Sequence, residues 1–254
     1  MENKLQTLAH TIVDYSLDVK ENEKVLIKYR GFEPNPLVKE LIKELNKKHA
    51  VVVTKVLNEP EVVTLLEEGN SKESVELSAK QFKFEVENFD SFINIIYNMN
   101  DYEGKNQNKE LKRLLGEKTK KDAHIRTNER KWVLLNYPSN IDAFKAKMEY
   151  KEFYDYALDV MTVDYAKMAE DIKPLKELME KTDKVRVTGK DTDITFSIKG
   201  IPAIPCVGNM NIPDGEIFTA PVKDSVNGKI AYNTPSPYDG KLFHHVSLEF
   251  KDGK

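Results

Sequence analysis

Lys24-Val25-Leu26-Ile27-Lys28-Tyr29-Arg30, closed by Gly31 and Pro34, is the stretch on which the fold turns. Its apolar centre is too short for a helix and is bounded by turn residues, so it reads as a strand. Upstream, Leu5, Leu8, Ile12 and Tyr15 recur at helical spacing, and residues 3–18 read as an amphipathic helix. Downstream, Pro36 to Lys48 reads as a helix with Leu37, Leu41, Ile42 and Leu45 on one face. Val51 to Leu57 follows as a β-branched run, apolar enough for burial on both faces. Residues 60–88 read as two helices joined at Gly69-Asn70-Ser71, with Ser71 placed to cap the second. Ser91 to Tyr97 and Lys131 to Tyr137 complete a set of four strands. Strands alternating with helices of this length predict parallel βαβ units in one covered sheet. The basic cluster from Lys118 to Lys131 carries interspersed acids and reads as a solvated loop.

Residues 140–182 read as helical, with Tyr165, Met168, Ile172, Leu175 and Met179 on one face and a break at Pro174. From Asp183 the pattern changes to strict alternation, as in Ile194 to Lys199, punctuated by glycines. Gly228–Asn233 and Leu242–Phe250 are further strands. The predicted fold class is therefore α/β: a parallel-sheet N-terminal domain with flanking helices over 1–182, then a mainly antiparallel β unit over 183–254. The second unit is short for an independent core. Its final Asp252-Gly253 resembles a hairpin turn without a returning strand, so it reads as incomplete.

Composition narrows the function classes. The chain has 254 residues, 40% hydrophobic and 32% charged, with a net charge of −3. That balance gives no general attraction to nucleic acid or acidic membrane. No apolar run approaches membrane-span length, and Met1 to Asp18 lacks the apolar stretch of a signal peptide. Cys206 is the single cysteine, which excludes an internal disulfide and a cysteine metal cluster; a cytoplasmic location is the simplest expectation. It reads as a small buried hydrophobe, since no base adjoins it in sequence. There is no G-x-G-x-x-G, no P-loop, no G-x-S-x-G and no HExxH. His244 and His245 are adjacent on a predicted strand, so they face opposite sides and read as structural.

The segment with most chemistry is Asn211-Ile212-Pro213-Asp214-Gly215-Glu216-Ile217-Phe218-Thr219-Ala220-Pro221. A proline and an Asp-Gly pair set a turn that delivers Glu216 to the head of a short strand. A carboxylate fixed there suits a metal ion or a cationic ligand group. On spacing alone the commoner reading is a hairpin turn with an exposed glutamate.

This motif resembles that of the thermophilic metalloaminopeptidases, the aminopeptidase T, aminopeptidase S and PepS family. Supporting matches run through Thr195 to Gly200, Gly228 to Thr234, Gly240, Leu248 to Lys254, Tyr29-Arg30-Gly31 and Trp132-Val133-Leu134. The resemblance implies an exopeptidase that releases N-terminal amino acids from peptides by two-metal-assisted hydrolysis. It implies Glu216 as a metal ligand, with two divalent ions (zinc, cobalt or magnesium) per complete site. It further implies peptide substrates with a free N-terminus and a homodimer. The other ligands and the catalytic residues are expected beyond residue 254, so this chain alone is expected to be inactive. The alternative is a non-enzymatic binding or assembly module derived from the N-terminal domain.

Overall fold

The computed structural model describes residues 3–58, 71–100, 107–238 and 241–254. The chain forms two compact units: Met1–Asp164 with Gly208–Asp214, and Tyr165–Val207 with Gly215–Lys254.

The first unit is built on strands β1 (Lys24–Arg30), β2 (Val51–Leu57), β3 (Ser91–Tyr97) and β4 (Lys131–Tyr137). They form one sheet in the order β2-β1-β3-β4, every pair parallel, as the alternation of helices and strands predicts. A fifth strand, β8 (Asn211–Ile212), adds beside β4 in parallel. Sequence reading assigned that pair to the β-rich unit. Two residues carry no periodicity of their own, so pairing with Leu134 and Leu135 decides where they go. Val25, Ile27, Phe92, Ile93, Ile95, Val133 and Leu135 are buried in the sheet.

Helix α1 (Lys4–His10) continues as a π-helical segment from Thr11 to Ser16, and together they bury Leu8, Ile12 and Val13. Helix α2 (Asn35–Lys47) has proline in its first turn and buries Leu37, Val38, Leu41 and Leu45. Of the two helices expected between 60 and 88, the first lies outside the described residues. The second is α3 (Lys72–Asn88), where Ser71 Oγ accepts from the Ser74 N–H at 3.2 Å.

Two expectations are corrected. Val51–Leu57 is an edge strand, not one buried on both faces; Val51 is 50% exposed and Val53 44%. Composition sees that a strand is apolar but not which strand ends the sheet. The basic stretch from Lys118 is no loop: up to Glu129 it lies within α4 (Lys109–Glu129), and Lys131 opens β4; α4 is capped by Asn108, whose Oδ1 accepts from Glu110 N–H at 2.9 Å and Leu111 N–H at 3.2 Å. Long lysine and arginine side chains are good helix formers, and alternating charge is compatible with a solvated helix face. The 140–182 region comprises α5 (Asn140–Ala146), α6 (Tyr150–Met161), α7 (Tyr165–Asp171) and α8 (Lys173–Lys181). Lys147 at φ +57 ends α5, and Pro174 sits in the first turn of α8.

The second unit holds an antiparallel sheet in the order β13-β10-β6-β5, from β5 (Lys184–Gly189), β6 (Thr192–Ser197), β10 (Asn227–Ala231) and β13 (Ser247–Phe250). Gly228, at φ +116, crosses so close to the Asp193 backbone that a Cβ would overlap its carbonyl oxygen. Two short ribbons accompany it: β7 (Ile204–Cys206) with β9 (Glu216–Phe218), and β11 (Ser236–Tyr238) with β12 (Lys241–Phe243). The single strand expected over 242–250 is thus two, separated where His245 takes φ +55. His244 and His245 are both exposed.

Candidate metal-binding site

Glu216 stands where the sequence argument places it, at the head of a strand directly after a turn. The turn contains a cis Ile212–Pro213 bond, and Asp214 Oδ2 accepts from the Gly208 N–H at 3.0 Å. Gly215 follows at φ +149, a backbone conformation that L side chains rarely adopt. Glycine is therefore required immediately before the carboxylate. Glu216 then pairs with Cys206, Ile217 with Pro205 and Phe218 with Ile204 in an antiparallel ribbon. The strand fixes the origin of the side chain, and the residue is exposed. Among the described residues, no ion pair or side-chain hydrogen bond engages its carboxylate.

As a donor set, Glu216 offers one anionic oxygen ligand, which suits a hard or borderline divalent ion. Cys206, directly opposite in register, is half-buried. Sequence inspection could not reveal that pairing, since the register of a three-residue ribbon leaves no periodic signal. Glu216 belongs to no group of three converging ligand side chains among the described residues. The group that does converge is His10, Asp14 and Glu44, in the first unit. His10 Nδ1 lies 2.9 Å from Asp14 Oδ2 and 3.7 Å from Glu44 Oε2. Lys48 already pairs with Asp14, and Lys47 with Glu44 at 2.5 Å. Those ammonium groups compensate the carboxylates, making the cluster an ion-pair network.

Another location follows from topology. The sheet order places β1 between β2 and β3, so the winding direction reverses between β1 and β3, where open α/β sheets bind ligands. Beyond the strand ends lie Gly31, Glu33 and a tyrosine group. Glu33 Oε2 accepts from the Phe32 N–H at 3.0 Å, and the Tyr137 and Tyr154 hydroxyls are 2.9 Å apart. Burial, then the neighbouring Glu33 charge, raises the Tyr97 pKa. The Tyr97 phenol is therefore a neutral hydrogen-bonding group at ordinary pH. No helix among the described residues is long and apolar enough to cross a membrane.

A sequence model described as thermophilic metalloprotease (M29) matches residues 1–254. "Aminopeptidase 2" of Geobacillus stearothermophilus is 46% identical over 46 residues, covering 18% of this chain and 11% of that protein's length. Among solved structures, "Wild-type AmpT from Thermus thermophilus" aligns with a TM-score of 0.71 at 14% identity. That alignment covers 98% of this chain and 69% of that one. At that identity the structural match speaks to the fold.

Proposed function

From the premise that this chain belongs to the thermophilic metalloprotease family M29, matched along residues 1–254, we propose that it serves a metal-dependent aminopeptidase and that Glu216 is one of its metal ligands. The observation that carries this is the exposed Glu216 carboxylate, set at a strand head by Gly215 within a chain matched end to end by that family. The substrates on this reading are peptides with a free N-terminus. Two divalent ions, as zinc, cobalt or magnesium, would supply Lewis-acid polarisation and a water of lowered pKa. Glu216 contributes anionic charge at a defined position, and the β7–β9 ribbon limits how far that charge can wander. One carboxylate cannot hold two ions, so this reading requires further ligands besides Glu216. On this reading residues 183–254 belong to the metallopeptidase domain, and 1–182 form the N-terminal α/β domain. The working form is proposed to be a cytoplasmic homodimer.

A second reading rests on Glu216 standing outside any three-ligand group among the described residues. It is that of a non-enzymatic binding or assembly module. Calorimetric titration of the chain and of Glu216→Gln with zinc and cobalt separates the two. The metalloaminopeptidase reading expects binding weakened by the substitution. Identical titrations for both forms would overturn it. Cleavage of aminoacyl-arylamides is expected to be negligible for residues 1–254. In any form that cleaves them, Glu216→Gln is expected to abolish the activity.

A further inference from the structure

Two lysines sit at the centres of otherwise apolar strands, and the sheet register aligns them. Lys28 of β1 pairs in register with Lys55 of β2 on one side and with Asn94 of β3 on the other. In-register residues of a parallel sheet project from the same face, so the three form a polar row across it. Glu85 of α3 meets that row: Lys28 Nζ donates to Oε2 and Lys55 Nζ to Oε1, each at 2.7 Å. Lys28 also lies 5.7 Å from the Phe82 ring centroid. Above the row is a cavity of about 310 Å³ whose lining includes Lys28, Lys55, Phe82, Glu85, Leu115 and Ala123. Arg126 follows Ala123 by three residues on α4, hence on the same helix face. Its charge is close enough to Glu85 for the two to act on one another.

The composition of this cluster is unequal. Lys28, Lys55 and Arg126 are three cations, and Glu85 is one anion already bonded to two of them. Arg126 Nε and Asn94 Nδ2 are buried donors without a hydrogen-bond partner. Buried unsatisfied donors are costly, and every unsatisfied group here is a donor rather than an acceptor. Two ammonium groups and an aromatic wall line the cavity, and the Arg126 guanidinium near Glu85 adds positive charge behind them, which favours an anion. The volume falls at the lower end of small-molecule sites.

We propose that this cavity binds a small organic dianion, with its charged head toward Lys28 and Lys55, reinforced by the Arg126 charge behind them, and an apolar body against Phe82, Leu115 and Ala123. The site belongs wholly to the first unit and is independent of the peptidase reading. A phosphate monoester and a dicarboxylate share this chemistry, and the probes phenyl phosphate and phenylsuccinate distinguish them. Calorimetric titration of the chain at pH 7.5 is expected to show saturable one-site binding of at least one probe. That binding should be at least tenfold weaker in Arg126→Gln and in Lys55→Gln. It should be unchanged in Lys120→Gln, an exposed cation of the same helix. The probe bound more tightly identifies the head group, and either result supports the proposal. Circular dichroism verifies folding, and if Arg126→Gln does not fold, Lys55→Gln on the edge strand carries the comparison. No saturable binding of either probe, equal binding by all variants, or equal binding of uncharged benzyl alcohol would overturn the assignment.

Discussion

Glu85 is a carboxylate on the sheet-facing side of a helix, with a side chain only 7% exposed. Burial pushes its pKa up; the hydrogen bonds from Lys28 and Lys55, with their charges, outweigh this and hold it below the ordinary 4.5. A depressed folded-state pKa means the unfolded chain takes up the proton first as pH falls. The stabilisation is therefore complete above the unfolded value and is lost as pH drops through the folded one. Thermal denaturation from pH 7 down to pH 3 should show this acid-side loss, and Glu85→Gln should flatten it. Glu85→Leu leaves Lys28, 18% exposed, without its anion. It is expected to cost about 3–5 kcal/mol in urea denaturation at pH 7. A loss below about 1 kcal/mol would show that water screens the lysines adequately.

Caps and close approaches decide the elements. Asn108 begins α4 by accepting two N–H bonds, so Asn108→Ala should cost about 1 kcal/mol, and Asn108→Ser should recover most of it. Chemical denaturation of both variants checks the pair. Gly228 is the stricter case, because its positive φ and the Asp193 backbone beside it both exclude a Cβ. Gly228→Ala is expected to destabilise the second unit by about 2–3 kcal/mol. Protease susceptibility confined to residues after Asp183 is its readout. An unchanged cleavage pattern would mean the β6–β10 pair can shift to accept a methyl group.

For the whole molecule, the second unit keeps an open sheet with β13 at one edge. Leu248 on that strand is 44% exposed, and Leu242 on β12 is 59% exposed. Unpaired edges with apolar side chains recruit other chains. The chain is expected to self-associate in sedimentation velocity at micromolar concentration. Leu248→Lys should shift it toward monomer without changing its circular dichroism. A monodisperse monomer before substitution would refute that account of the edge.

The four-strand parallel sheet was legible in the chain because each strand is an apolar run bounded by turn residues, and each helix repeats its apolar positions at helical spacing. The turn and strand head that carry Glu216 were legible because they are written in contiguous residues. Tertiary structure alone decided that Val51–Leu57 is an edge, that Asn211–Ile212 joins the first sheet, and that Cys206 faces Glu216. Edge position and register depend on partners remote in sequence. Lys28 and Lys55 did carry a signal, since charges at the centres of apolar strands demand compensation. Nothing local named Glu85 as that partner, or brought Arg126 beside it, because their proximity arises only when two helices pack over three in-register strands.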